Sequence, residues 1–88
     1  KLVAIFGLGD QIGYGEYFID GVGILAKIVL DNGGKLIGNW SIEGYEFTES
    51  KAQMNDSHFY GLAIDEDTQS NKTNNRIDEW IAQLEKEL

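Results

Sequence analysis

Residues 7–16 read GLGDQIGYGE and follow directly on the apolar run LVAIF, Leu2–Phe6. A glycine-rich turn at the end of a buried strand is a common place to cradle a phosphate. The dinucleotide pattern G-x-G-x-x-G puts its third glycine one residue earlier than here, where the glycines fall at 7, 9 and 13. Asp10 sits inside the turn and would repel a phosphate. A P-loop needs Gly-Lys-Ser or Gly-Lys-Thr, and this turn has no lysine. What the turn does offer is backbone amides, the polar ends of Asp10 and Gln11, and the ring of Tyr14. Those groups suit a flat ligand that hydrogen-bonds at its edge and stacks on its face. The alternative is a tight turn in which Tyr14 lids the core.

Other chemistry-bearing residues are sparse. Asp65, Asp67 and Gln69 alternate along DEDTQSNKT as calcium ligands do, but Ser70 replaces the turn glycine and Arg76 stands where the bidentate glutamate belongs. His58 is the single histidine, at the head of a strand-like segment, with no serine–aspartate arrangement around it that would make it a general base. Cysteine is absent, which excludes a disulfide framework, a thiol nucleophile and an iron–sulfur cluster. Seven basic and 15 acidic side chains leave a net charge of −8. That charge disfavours nucleic acid and anionic membranes and suits a basic protein partner. No apolar stretch is long enough to span a bilayer, no secretory signal is visible, and the expectation is a cytoplasmic protein.

The elements that must hold these residues follow from periodicity. LVAIF lacks alternation, which is how a strand covered on both faces reads. Over 16–31, Phe18, Val22, Leu25 and Val29 recur at helical spacing, with Ile24 and Ile28 widening the stripe, and Asn32-Gly33-Gly34 ends the helix. Lys35–Trp40, KLIGNW, reads as a second strand. A strand, a helix and a strand make a βαβ unit with parallel strands and a right-handed crossover. Residues 41–57 are polar and aromatic and long for a connection, so they read as a functional or partner-facing excursion. HFYGLAID, His58–Asp65, resumes strand character. Thr73 is placed to cap a last helix whose stripe is Ile77, Trp80, Ile81, Leu84 and Leu88.

FGLGDQIGYGEYFIDG closely resembles the fourth strand and following loop of flavodoxins, whose usual form is F-G-[TL]-G-D-Q-x-G-Y. GGKLIGNWSIEGYEFTESKA resembles that family's fifth strand and the start of its long-chain insertion, here 41–57. FYGLAIDEDTQSNKTNNRIDEWIAQL resembles the resumed strand, the acidic loop and the last helix. The likeness runs in order over residues 1–88. It implies an α/β flavodoxin-like fold with a parallel sheet and flanking helices, of which this chain holds the half from the fourth strand onward. It also implies a low-potential one-electron carrier, not an enzyme, that uses non-covalently bound FMN. By the resemblance, Tyr14 stacks on the isoalloxazine. Gly9, Asp10 and Gln11 match the segment that bonds its pyrimidine edge. Leu8 holds a position that is often threonine, and Asp67 lies near the ribityl chain. Trp40, Tyr45 and Phe47 are expected to pack or meet partners. The implied redox partner is a basic-faced reductase such as a ferredoxin/flavodoxin-NADP reductase.

The sequence lacks the family's first three strands, its Thr/Ser-rich phosphate loop and the second stacking aromatic. It therefore has one wall of a flavin site, and FMN binding by these residues alone is expected to be weak or absent. Three readings follow: the C-terminal part of a whole flavodoxin, a chain that pairs with a separate N-terminal half, or a half-fold without flavin that dimerises through its exposed strand edge as a scaffold or interaction module.

Overall fold

The computed structural model describes residues 2–13, 15 and 17–88. Strands β1 (Leu2–Ala4) and β2 (Phe6–Leu8) are one run of chain interrupted at Ile5. β1 pairs in parallel with β3 (Lys35–Ile37), Val3 opposite Leu36. β2 pairs in parallel with β6 (Leu62–Ile64), Gly7 opposite Ala63. At the junction the Ile5 carbonyl accepts Leu62 N at 3.0 Å. Gly61 lies so close that a Cβ there would stand 2.1 Å from that carbonyl oxygen. β3, within the expected second strand Lys35–Trp40, and β6, within the expected later strand His58–Asp65, thus pair with consecutive parts of one run of chain although more than twenty residues separate them.

The division begins at Gly38, whose φ of 79° turns the chain out of the ladder. β4 (Trp40–Ser41) then pairs antiparallel with β5 (His58–Phe59), which closes the neck of the intervening segment. So KLIGNW is not a single strand: a left-handed glycine in its middle sends Trp40 into a different pairing.

Helix α1 (Asp20–Asp31) and helix α2 (Thr73–Glu87) cover opposite faces of the ladders. Side chains alternate along a strand. Ile5 and Ala63 join the cluster of Phe18, Val22, Ala26 and Phe59 beneath α1. Leu62 and Ile64 join Trp80 beneath α2. Phe6, on that second face, meets Trp80 edge-on at 6.4 Å between centroids.

Three helical expectations change. α1 starts at Asp20 rather than 16, because Ile19 stands in the left-handed region at φ 46° and cannot continue a helix backwards. Of the expected stripe, Phe18 and Val22 are buried, while Ile24, Leu25 and Ile28 are about half exposed. Gly23 and Ala26, the small residues, let the helix approach closely instead. Thr73 is the first residue of α2 rather than its cap, since a 3-10 turn (Ser70–Lys72) runs straight into the helix.

The expectation that Leu2–Phe6 is covered on both faces is met on one. Ile5 is buried, whereas Leu2, Phe6 and Leu8 are 49%, 59% and 64% exposed. Elements of this chain cover the α1 face and leave most of the other bare.

Candidate functional site

The glycine turn leaves β2 at its carboxyl end, where open α/β sheets bind ligands. Close packing explains its glycines. A Cβ at Gly7 would lie 2.5 Å from Val22 Cγ2, and one at Gly9 would lie 3.0 Å from both Ile19 and Phe18. The start of α1 is therefore pressed against the strand end. Asp10 closes the next turn on itself, its Oδ1 accepting Ile12 N at 3.0 Å and Gly13 N at 2.7 Å.

Gln11 points inward and is almost fully buried. Its Nε2 donates to Thr68 Oγ1 at 3.3 Å, and its Oε1 accepts the amide of Glu46. Its own amide donates to Asp65 Oδ2 at 3.0 Å. One residue thus touches three loops: the glycine turn, the 41–57 segment and the acidic loop.

Asp65 directly follows strand β6 and is completely buried. Besides Gln11 N, it accepts Thr68 Oγ1 at 2.6 Å, Thr68 N at 2.9 Å and Asp67 N at 3.1 Å. Burial by itself would raise its pKa. The hydrogen bonds from Thr68 and Gln11 outweigh that and hold the carboxyl below its ordinary value. The carboxylate organises the acidic loop and ties it to the glycine turn. Asp67 contributes its amide to this arrangement and leaves its side chain exposed. With both Asp65 oxygens engaged by N–H and O–H donors, the first ligand position of the alternating pattern in DEDTQSNKT is taken up by protein contacts. No cluster of three metal-ligating side chains occurs among the described residues.

Leu8, Gly9 and Asp10 come together on a cleft of about 370 Å³, which they share with Tyr17, Phe18, Ile19, Asp20 and Gly21 at the start of α1. Gln11 and Asp67 are not in its lining, and Tyr14 lies outside the described residues. The sequence reading missed Tyr17, Ile19 and Asp20 because it placed all three inside a helix. Ile19 is the one described non-glycine residue with a positive φ, a strained conformation for a β-branched side chain. Such strain gathers where a loop must present its backbone in a fixed way. Asp65 had a faint signal: an aspartate directly after a buried strand and ahead of a polar loop is placed to receive that loop's amides.

The chain superposes over its whole length on Fusobacterium nucleatum flavodoxin bound to flavin mononucleotide, with a TM-score of 0.93 and 41% identity, covering 52% of that chain. It is 54% identical over all 88 residues to a flavodoxin of Nostoc sp., of which it covers 51%. The chain belongs to the flavodoxin family. Flavodoxin 1 of Escherichia coli is 47% identical over the same 88 residues, which are 50% of its length. No family model matches. The chain spans about half the length of the curated flavodoxins it matches, and its fold is the corresponding half of the flavodoxin α/β architecture.

Within this flavodoxin-family chain, the 41–57 segment lies along the cleft-forming loop and holds it at successive points. Thr48 N and Glu49 N donate to Gly15 O at 2.8 and 3.0 Å. The Ser50 hydroxyl donates to Phe18 O, and Lys51 N donates to Asp20 Oδ1 at 2.8 Å. Tyr45 and Phe47 pack against Phe18 and Phe59. The Tyr45 hydroxyl accepts Trp40 Nε1 at 3.0 Å and donates to Ala63 O. Arg76 covers the Tyr45 ring at 4.0 Å. Trp40, Tyr45 and Phe47 therefore pack within the chain, one of the two roles expected of them.

Proposed function

We propose that this chain supplies one wall of the FMN site of a low-potential one-electron carrier. The observation that carries the reading is the whole-length likeness to a flavodoxin bound to flavin mononucleotide, together with a cleft at the equivalent strand end. The residues present suit one side of a planar ring. Leu8 is exposed and apolar, Gly9 has no side chain to crowd the turn, and Ile19, in its strained conformation, opens α1 beside them. FMN, when bound, would supply the one-electron chemistry. The chain's own part is to orient the ring, with Tyr14 stacking and Gly9 and Asp10 meeting its pyrimidine edge; Gln11, whose amide and side chain are bonded within the protein, holds the turn in place rather than meeting the ring.

Asp10 and Asp20 put negative charge on the cleft itself, and Asp65 is tied to the same turn through the Gln11 amide. A carboxylate within several ångströms penalises any added electron density on a ligand held there, which favours a low potential. The net charge of −8 steers the carrier toward a basic-faced reductase, and salt weakens that steering. The bare Leu2, Phe6 and Leu8 face calls for an apolar cover. An N-terminal flavodoxin half or a second copy of this chain would supply it. None of the described helices is long and apolar enough to cross a membrane.

The test is flavin fluorescence quenching. The chain alone should leave FMN emission almost unchanged. Adding the remaining half of the Nostoc flavodoxin as a separate polypeptide should quench it with a stoichiometry of one FMN per pair. Absence of quenching in the mixture, with the two halves shown to associate, would replace this reading with that of a flavin-free interaction module.

A further inference from the structure

The chain holds six asparagines, at 32, 39, 55, 71, 74 and 75, and only Asn32 is followed by glycine. An asparagine side chain loses its amide when the backbone nitrogen of the next residue attacks its Cγ. A side chain on that next residue hinders the approach, and Gly33 has none. Both residues are exposed. They lie between the end of α1 and the head of β3, which pairs with one edge of β1, so the other edge of that strand is on the far side. The bare face carrying Leu2, Phe6 and Leu8 belongs to the α2 side of the sheet. A cover on that edge or that face sits away from this turn.

The folded helix end holds the pair back. Gly33 N donates to Leu30 O at 3.2 Å and Gly34 N donates to Val29 O at 2.9 Å, the paired bonds of a Schellman cap, with Gly33 left-handed at φ 82°. Asn32 Nδ2 donates to Ile28 O at 2.8 Å. The bond to Leu30 opposes the loss of the Gly33 proton that the attack requires. The ψ of 17° at Asn32 turns the Gly33 nitrogen toward that residue's own amide and away from its side chain. Reaction must therefore wait until the cap opens, and helix ends open far more readily than cores.

We propose that Asn32 is a deamidation site whose rate is set by opening of the α1 cap. In the open cap the Gly33 nitrogen gives up its proton and bonds to Asn32 Cγ, and the side-chain nitrogen leaves as ammonia with a proton in exchange. Water then splits the resulting imide ring at either carbonyl, its OH going to the carbon and its hydrogen to the Gly33 nitrogen. One product is an ordinary aspartate. The other is isoaspartate, in which the main chain runs through the former side chain and gains a carbon. Either product undoes the cap. The bond to Ile28 O is lost, and a second carboxylate joins Asp31 where the helix dipole disfavours it and no basic residue shares the turn. The extra carbon also displaces Gly33 and Gly34 from the carbonyls they meet, which loosens the joint between α1 and β3.

Peptide mapping of the chain, held for days in mildly alkaline buffer, tests this. Trypsin releases residues 28–35 as one peptide. It should split into two new forms, both with the mass of an amide replaced by an acid, and one of them should accept a methyl group from an isoaspartyl methyltransferase. Conversion should run roughly tenfold faster than at any other asparagine. Urea, which removes the cap, should speed it by a further tenfold or so, roughly the inverse of the open fraction. Asn32→Asp, made directly, should raise amide hydrogen exchange in residues 28–34 several-fold while β6 keeps its protection. Earlier conversion at another asparagine would overturn the proposal. So would a rate that urea leaves unchanged, or an Asn32→Asp chain that exchanges as the parent does.

Discussion

Asp65 receives four donors in a site closed to water, so its negative charge is compensated only by the geometry around it. Asp65→Asn would turn an NH₂ group toward the Gln11 or Thr68 donors. The expected cost is about 2–4 kcal/mol, the range for breaking a buried charge-assisted network. Urea denaturation monitored by circular dichroism measures it. Because the folded carboxyl titrates below its ordinary value, its contribution is complete above the unfolded pKa of about 3.9 and is lost as pH falls through the folded value. The Asp65 contribution should thus be lost only in acid, and the acid limb of the stability profile should flatten in Asp65→Asn. Tyr45 sets the opposite end. Burial raises its pKa above 10.0 even though Arg76 works to lower it, so its contribution is intact below that value and fades as pH climbs through the folded one. Residue types announced the glycine turn, since Gly7 and Gly9 have no side chain to spare and Asp10 is a natural turn former. They did not announce the bond from Gln11 to Glu46, because those residues are 35 apart in sequence and meet only through the packing of the intervening segment.

At the scale of elements, the parallel pairing of Leu2–Ala4 with Lys35–Ile37 and the helix between them were legible from periodicity. The helix start was not, because Phe18 fits the stripe by spacing while the backbone at Ile19 departs from helix. The 41–57 segment reads as an outward excursion by composition, yet its amides run along residues 15–20. Ser50→Ala removes the hydroxyl that meets Phe18 O and should speed amide hydrogen exchange in residues 15–21 several-fold, with little change at β6. Gly23→Ala is the sharper probe. In an open helix that change gains about 1 kcal/mol of propensity, but here the methyl meets the Lys51 carbonyl. The expected result is a net loss of about 1–3 kcal/mol in chemical denaturation.

At the scale of the whole molecule, the α1 core is complete while the face carrying Leu2, Phe6 and Leu8 is open. The run LVAIF, with no polar alternation, led the sequence reading to expect both faces covered, and the structure covers the one that holds Ile5. Phe6 is the measure of this. It reaches Trp80 on one side and solvent on the rest, so a bound complementary half should protect it, and Phe6→Ser should weaken that association without unfolding α1. Surface plasmon resonance against the immobilised complementary half would read the difference.

The two indoles are moored to different parts of the molecule. Trp80 Nε1 holds the Gly38 carbonyl at 2.8 Å, and Trp40 Nε1 holds the Tyr45 hydroxyl at 3.0 Å. With only two tryptophans in the chain, replacing either by phenylalanine leaves a single indole, excited apart from the tyrosines at the red edge of the absorption band, with one address. Emission from Trp80 alone follows the docking of α2, and emission from Trp40 alone follows the seating of the 41–57 segment. The sequence in which these parts let go during unfolding is thus written in the protein's own light, and stopped-flow fluorescence reads it with no label attached.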